Sequence, residues 1–265
     1  MPTASALRRE IERALEDRFP AALTPAPRTI REVAPTGIVH VDELLDGGLP
    51  VGAISELTGP DSSGRTSLAL AFVAQRMAED RVCAWVDVQD AFDPESAVAA
   101  GVNLRRLLWV RCRDADKEIT RKQWKQAQNR HLTRPWTRLD QALRATDLLL
   151  QAGGFAAIVL DLGSTAREHG NRIPAATWFR FRQAADRARC SLVVLGRAAY
   201  AQSAAVVVLE CSRQQAKTAG GTVLCGFEYA VRRGRERFAP VEIGTRKPPA
   251  STWGAEAAWN MEMRA

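Results

Sequence analysis

One short stretch restricts the fold of this chain more than any other: Gly59-Pro-Asp-Ser-Ser-Gly64-Arg65-Thr66. It fits the pattern G-x-x-x-x-G-K-[ST], except that arginine stands at the lysine position. Upstream, Val51 to Leu57 reads as a strand, and Gly47-Gly48 ends a short helix before it. Downstream, a helix opens at Gly64 with Leu68, Ala71 and Phe72 on one face. Val82-Cys-Ala-Trp-Val86 is a second apolar strand ending at Asp87. Strand, glycine loop, helix and strand make a βαβ unit, which calls for a parallel sheet covered by helices.

The chemistry of such a loop is direct. Successive backbone N–H groups and the N-terminus of the following helix form a concave anion site. Glycine lets the backbone close on phosphate oxygens without a Cβ in the way. The Thr66 hydroxyl is a candidate ligand for Mg²⁺, and Asp161, at the end of the apolar run Ala156 to Asp161, is a candidate acid on the magnesium side. Arginine at position 65 carries its charge on a longer, planar fork, so it meets a phosphate elsewhere than lysine does.

Further along, residues 139 to 151 and Ala175 to Arg189 show helical periodicity, and Ser191 to Gly196 is another strand. Strand-like runs at Val206 to Leu209, Thr222 to Leu224 and Glu228 to Val231, with turns at Gly220-Gly221 and Gly234, point to antiparallel strands at a sheet edge. Residues 5 to 19 predict an amphipathic helix (Leu7, Ile11, Leu15, Phe19) that either packs on its own domain or serves as a handle for a neighbour. The expected organisation is an N-terminal helix and linker over 1–34, a core over 35–245 and a flexible tail over 246–265. Trp253, Trp259, Met261 and Met263 on that tail suit a docking peptide or folding back onto the sheet.

Composition narrows the function classes. The 265 residues carry a formal net charge of +7, which favours acidic partners such as nucleic acid. Much of the basic charge crowds residues 105 to 138, where Arg121, Lys122, Lys125 and Arg130 alternate with Trp109, Trp124 and Trp136. That mixture suits single-stranded nucleic acid or a partner protein, or a solvated face over packed tryptophans. Five scattered cysteines and three histidines show no disulfide or metal spacing. Thr36, Ser62 and Ser63 are loop and cap residues rather than nucleophiles. No apolar run spans a membrane and the N-terminus lacks a secretory pattern, so a cytoplasmic protein is expected.

Glu56 to Leu68 resembles the phosphate loop of bacterial RecA recombinase, and Cys83 to Pro94 the RecA segment that bears its catalytic glutamate. Gly47 to Pro50, Gln141 to Leu143, Ile158 to Asp161 and Val231 to Pro240 extend the likeness over about residues 35 to 240. The resemblance implies an α/β fold: a RecA-type P-loop core with a mostly parallel central sheet flanked by helices and antiparallel edge strands toward the C-terminus. It implies ATP and Mg²⁺ as cofactors, held by Gly59, Ser62, Ser63, Gly64, Arg65, Thr66, Ser67, Asp93 on the adenine side, and Asp161. It also implies departures. The catalytic glutamate falls on Gln89, the switch glutamine falls near Arg197, and the long DNA-contacting loop before Val206 is trimmed to about ten residues.

In length, degraded site and trimmed C-terminal side the chain is similar to the RecA-like ImuA proteins. That family implies an accessory role in DNA-damage-induced mutagenesis (translesion synthesis in the SOS response) beside a Y-family polymerase homologue of ImuB type. Association with RecA or with itself through the N-terminal helix, and contact with single-stranded DNA, are further expectations. The alternatives are an active DNA-dependent ATPase of divergent recombinase type and a cell-division inhibitor with a RecA-like fold.

Overall fold

The computed structural model describes residues 32–113, 137–163, 165, 167–219, 223–236 and 250–256. The helix expected over 5 to 19, the basic residues Arg121, Lys122, Lys125 and Arg130, and Trp259 lie outside them. Among the described residues no helix is long and apolar enough to cross a membrane.

The expected βαβ unit is present. β3 (Ile54–Thr58) runs into the loop, α2 (Arg65–Ala78) follows, and β4 (Cys83–Asp87) returns parallel. Before them, α1 (Val39–Leu44) lies between the two short strands β1 (Val33–Ala34) and β2 (Leu49–Pro50), which pair with each other. Thr36 serves as the expected structural residue, its N–H and hydroxyl both donating to Asp42. After β4 come α3 (Pro94–Ala99), β5 (Leu107–Arg111), α4 (Arg138–Ala152), β6 (Ala157–Asp161), α5 (Arg167–Gly170), α6 (Ala175–Ala188) and β7 (Ser191–Gly196). Three long-range strands close the sheet: β8 (Ala205–Ala219), β9 (Val223–Glu236) and β10 (Ala250–Glu256).

Among the described residues the main sheet has eight strands, in the order β10-β9-β8-β3-β7-β6-β4-β5. β8, β3, β7, β6, β4 and β5 are parallel, while β9 and β10 are antiparallel additions. Both faces are covered, so β4, β6 and β7 read as near-continuous apolar runs rather than alternating ones, while β3 also buries Ser55 and Glu56. One face packs Leu57, Val193 and Trp85 under Leu68 and Phe72 of α2. The other packs Ile54, Ile158 and Leu192 under Trp178 and Phe181 of α6. All five cysteines are free thiols; four are buried, where cysteine packs as a small hydrophobe, and Cys225 is half-buried.

Two features change the expected picture. Residues 250–256 are a sheet strand, paired from Ala250↔Arg232 to Glu256↔Gly226, and Trp253 is buried against Tyr229 with ring centroids 4.9 Å apart. The reading of 246–265 as a flexible docking tail fails for this stretch, because Trp253 gains more by completing a core than by waiting in solvent. The β8–β9 hairpin is also far longer than β3. Glu210 is paired with Thr58, so everything from Cys211 onward rises past the end of β3 and walls the loop.

Candidate functional site

The strands end in register. Thr58 lies beside Gly196, Leu195 beside Asp161, and Asp161 beside Asp87. That row is the crevice at the carboxyl ends of a parallel sheet, where open α/β folds place their ligands. The loop 59–64 opens onto it. The Gly59 N–H donates to the Gly196 carbonyl at 3.3 Å, fastening the loop to β7. Ser62 takes φ +58° and Gly64 φ +86°, the left-handed geometry that turns successive N–H groups toward one centre. Gly64 is the N-cap of α2 and supplies no side-chain cap, so the first-turn donors remain open to a ligand. A Cβ on Gly64 would stand 2.7 Å from Cγ of Tyr229, whose ring lies flat on the loop from β9. Ser67, one turn on, lies close enough to the Tyr229 hydroxyl to act on it.

Arg65 is only 9% exposed. Its Nη2 faces the Asp61 carboxylate at 3.5 Å, and its Nη1 is buried with no hydrogen-bond partner. The Ser63 hydroxyl is likewise buried and unpartnered. Buried donors left open in a native fold call for a ligand or water, and two of them lie in this loop. Arg197, the first residue after β7, reaches back to the same Asp61 and grips it through both Nε and Nη2. Asp61 therefore joins two arginines across the loop. It sits inside the motif, but nothing in its spacing announces this partnership.

The acids of the site differ in kind. Burial pushes Asp161 up to about 6, and the negative charge of Asp87 adds to the rise. The Gly163 N–H, at 2.8 Å, and the charge of Arg65 oppose it. Asp87 is buried and spends its oxygens on the N–H groups of Gln89, at 3.1 Å, and Phe92, at 2.8 Å. The resulting turn puts the Gln89 side chain over Gly163, where a Cβ would lie 3.0 Å from Oε1. Gln89 and Asp161 are thus brought together at the end of β6. Asp93 is used differently: its exposed carboxylate caps α3, accepting from the N–H groups of Glu95 and Ser96 and from the Ser96 hydroxyl. All three bonds stay within its own helix, and no hydrogen bond ties it to the loop. Thr66 is exposed at the start of α2, where its hydroxyl is accessible.

The connection from β7 to β8 is short and fastened. Residues 197–204 must return from beside Thr58 to beside Ile54, a descent of roughly 13 Å along β3. Halfway down, the buried Glu56 carboxylate accepts from the N–H groups of Tyr200, at 2.6 Å, and Ala201, at 2.9 Å. The Tyr200 ring packs on Gly170 and Gly196. Eight residues reach at most about 28 Å when extended, and Glu56 holds the middle of them, so the connection forms no long loop. The shortness is legible in the sequence, but the parts of Glu56 and Tyr200 are not, because their contacts are distant along the chain.

Of the basic segment, residues 105–113 and 137–138 are described, Arg111 among them. It holds Asp90 through Nε at 2.5 Å and Nη2 at 2.8 Å and lies 4.6 Å from the Trp109 ring centre. Trp109 in turn packs on Phe92. This part is an ion-paired face over packed aromatics.

Comparison with known proteins agrees with the geometry. The RecA N-terminal domain family matches residues 6–123. Protein RecA of Brucella anthropi is 36% identical over 137 residues, covering 51% of this chain and 31% of that protein. Protein RecA of Cereibacter sphaeroides is 37% identical over 131 residues, 49% of this chain and 31% of its own. The matched stretch is about a third of the length of these relatives. The crystal structure of the RadB recombinase superposes with a TM-score of 0.54 at 19% identity, covering 82% of this chain and 93% of that one, a likeness of fold. By its loop, its sheet order and these matches, the chain has a RecA-like fold and carries a stretch similar to the RecA N-terminal domain.

Proposed function

We propose that this chain is a RecA-fold accessory protein, not a recombinase, whose ATP site still receives a nucleotide but hydrolyses it poorly. The observation that carries the reading is the pairing of Arg65 and Arg197 with Asp61. Positive charge meant for phosphate is met by a carboxylate of the loop itself. Gln89 adds to the deficit: an amide orients water but takes no proton, and loss of a general base costs about 10²- to 10⁴-fold.

Nucleotide and Mg²⁺ suit the residues present. The open N-terminus of α2 and the unpartnered donors of Ser63 and Arg65 would hold phosphates, with Gly59, Ser62, Gly64 and Ser67 shaping the turn. Thr66 and Asp161 would hold Mg²⁺, which supplies charge neutralisation between phosphate oxygens. Asp93 remains the candidate for the adenine side, with its carboxylate shared with the cap of α3.

The biological setting we propose is DNA-damage-induced mutagenesis in the cytoplasm. There the protein would scaffold a Y-family polymerase homologue and associate with RecA or with itself through the N-terminal helix. Single-stranded DNA would be met by the segment around Lys122 and Lys125. Support comes from the resemblance to ImuA-type proteins and from the fastened 197–204 connection, which leaves no long loop where a recombinase needs one for DNA.

The test is ATP turnover by an Arg65→Lys, Gln89→Glu double variant against the parent chain. Turnover gained by the variant supports a site degraded in place. Equal, DNA-stimulated turnover by the parent chain makes it an active DNA-dependent ATPase instead.

A further inference from the structure

We propose that Asp61 is a latch on the phosphate loop: its carboxylate binds Arg65 and Arg197 together, and a polyphosphate tail enters by taking both guanidinium groups from it. This deepens the nucleotide reading and rests on it. The arginines differ in a way that suits the exchange. Arg65 is nine-tenths buried and already desolvated, with Nη1 unpartnered, and the Ser63 hydroxyl of the loop is buried and unpartnered as well. Arg197 is about half exposed, so its side chain meets solvent-borne anions, while its backbone lies in the short connection that Glu56 fastens. Asp61 is half exposed too, so it returns to water at little cost when released.

Carboxylate and phosphate compete for the same forked donors, and phosphate offers more oxygens and more charge. The loop in its latched form is therefore a closed version of its own ligand site. Asp61 substitutes for the anion until a stronger one arrives. Arg197 passes from the carboxylate to the incoming phosphate, which makes it a ligand-contacting residue rather than a relic of a lost switch.

The experiment titrates ATP, and inorganic tripolyphosphate as a probe without a base, into the full chain by calorimetry. The proteins are the parent, Asp61→Asn, Arg197→Ala and the double variant, with Asp61→Ser in reserve if asparagine disturbs folding; a melting curve checks each fold. Asp61→Asn is expected to bind both ligands about tenfold more tightly, a gain of about 1.4 kcal/mol. The double variant is expected to lose that gain. Equal or weaker binding by a folded Asp61→Asn protein overturns the latch while the nucleotide reading stands. If none of the proteins binds either ligand, the nucleotide reading fails and the latch falls with it.

Discussion

Replacing Gly64 by alanine probes the contact between the hairpin and the loop. Two costs arise. The residue holds φ +86°, and an alanine kept in the left-handed region costs about 1–2 kcal/mol. The added Cβ would also lie 2.7 Å from Cγ and 2.8 Å from Cδ1 of Tyr229. Ring atoms that near must shift, and overpacking of this kind costs about 1–3 kcal/mol. The sum is roughly 2–5 kcal/mol, or a fall in melting temperature of about 5–15 °C for a chain this size. Tyr229→Ala alone empties a buried ring site and costs about 3–5 kcal/mol. In the double variant the clash has no partner, so its cost should fall short of the two singles' sum by about 1–3 kcal/mol. Urea unfolding of the four proteins closes the cycle. Additivity within about 0.5 kcal/mol would refute the claim that Tyr229 presses on the loop.

Other perturbations separate roles. Trp253→Ala should destabilise the fold by about 3–5 kcal/mol, read by thermal melting, because Trp253 is a core residue packed on Tyr229; a change under 0.5 kcal/mol would return it to a loose tail. Asp93→Ala should cost about 1 kcal/mol through the lost cap of α3, and unchanged nucleotide affinity in that variant would remove Asp93 from the adenine side. The Asp161 carboxyl titrates near 6 in the fold, above its ordinary value, chiefly through burial. Its contribution is thus fully present below pH 4 and lost as pH rises through 6. Asp161→Asn should flatten that part of the stability profile measured without Mg²⁺, and an unchanged profile would place the carboxylate in water.

How much of this was legible in the chain depends on how local each cause is. β4, β6 and β7 announce themselves because a strand buried on both faces is mostly apolar, whereas β3, with Ser55 and Glu56, is marked by the glycine loop that follows it. β5 was hidden: Leu107–Arg111 is half-exposed and sits among Arg105, Arg106 and Arg111, so charge masked an edge strand. Trp253 shows the opposite error, since an apolar residue near a chain end looks the same whether it awaits a partner or completes a sheet. Its partner Tyr229 lies on another strand, and only the register of β9 with β10 joins them. The loop was legible as a phosphate site, for backbone geometry there is dictated by Gly59 and Gly64. The role of Asp61 was not, because Arg197 reaches it through folding alone.

The central claim is a nucleotide site that binds more than it turns over. Its most direct test measures ATP affinity and steady-state hydrolysis on one preparation of the parent chain, with Mg²⁺, with and without single-stranded DNA. The account predicts saturable binding with turnover at least about a hundredfold below that of the Arg65→Lys, Gln89→Glu variant, unmoved by DNA. Rapid turnover that DNA stimulates in the parent chain would contradict it.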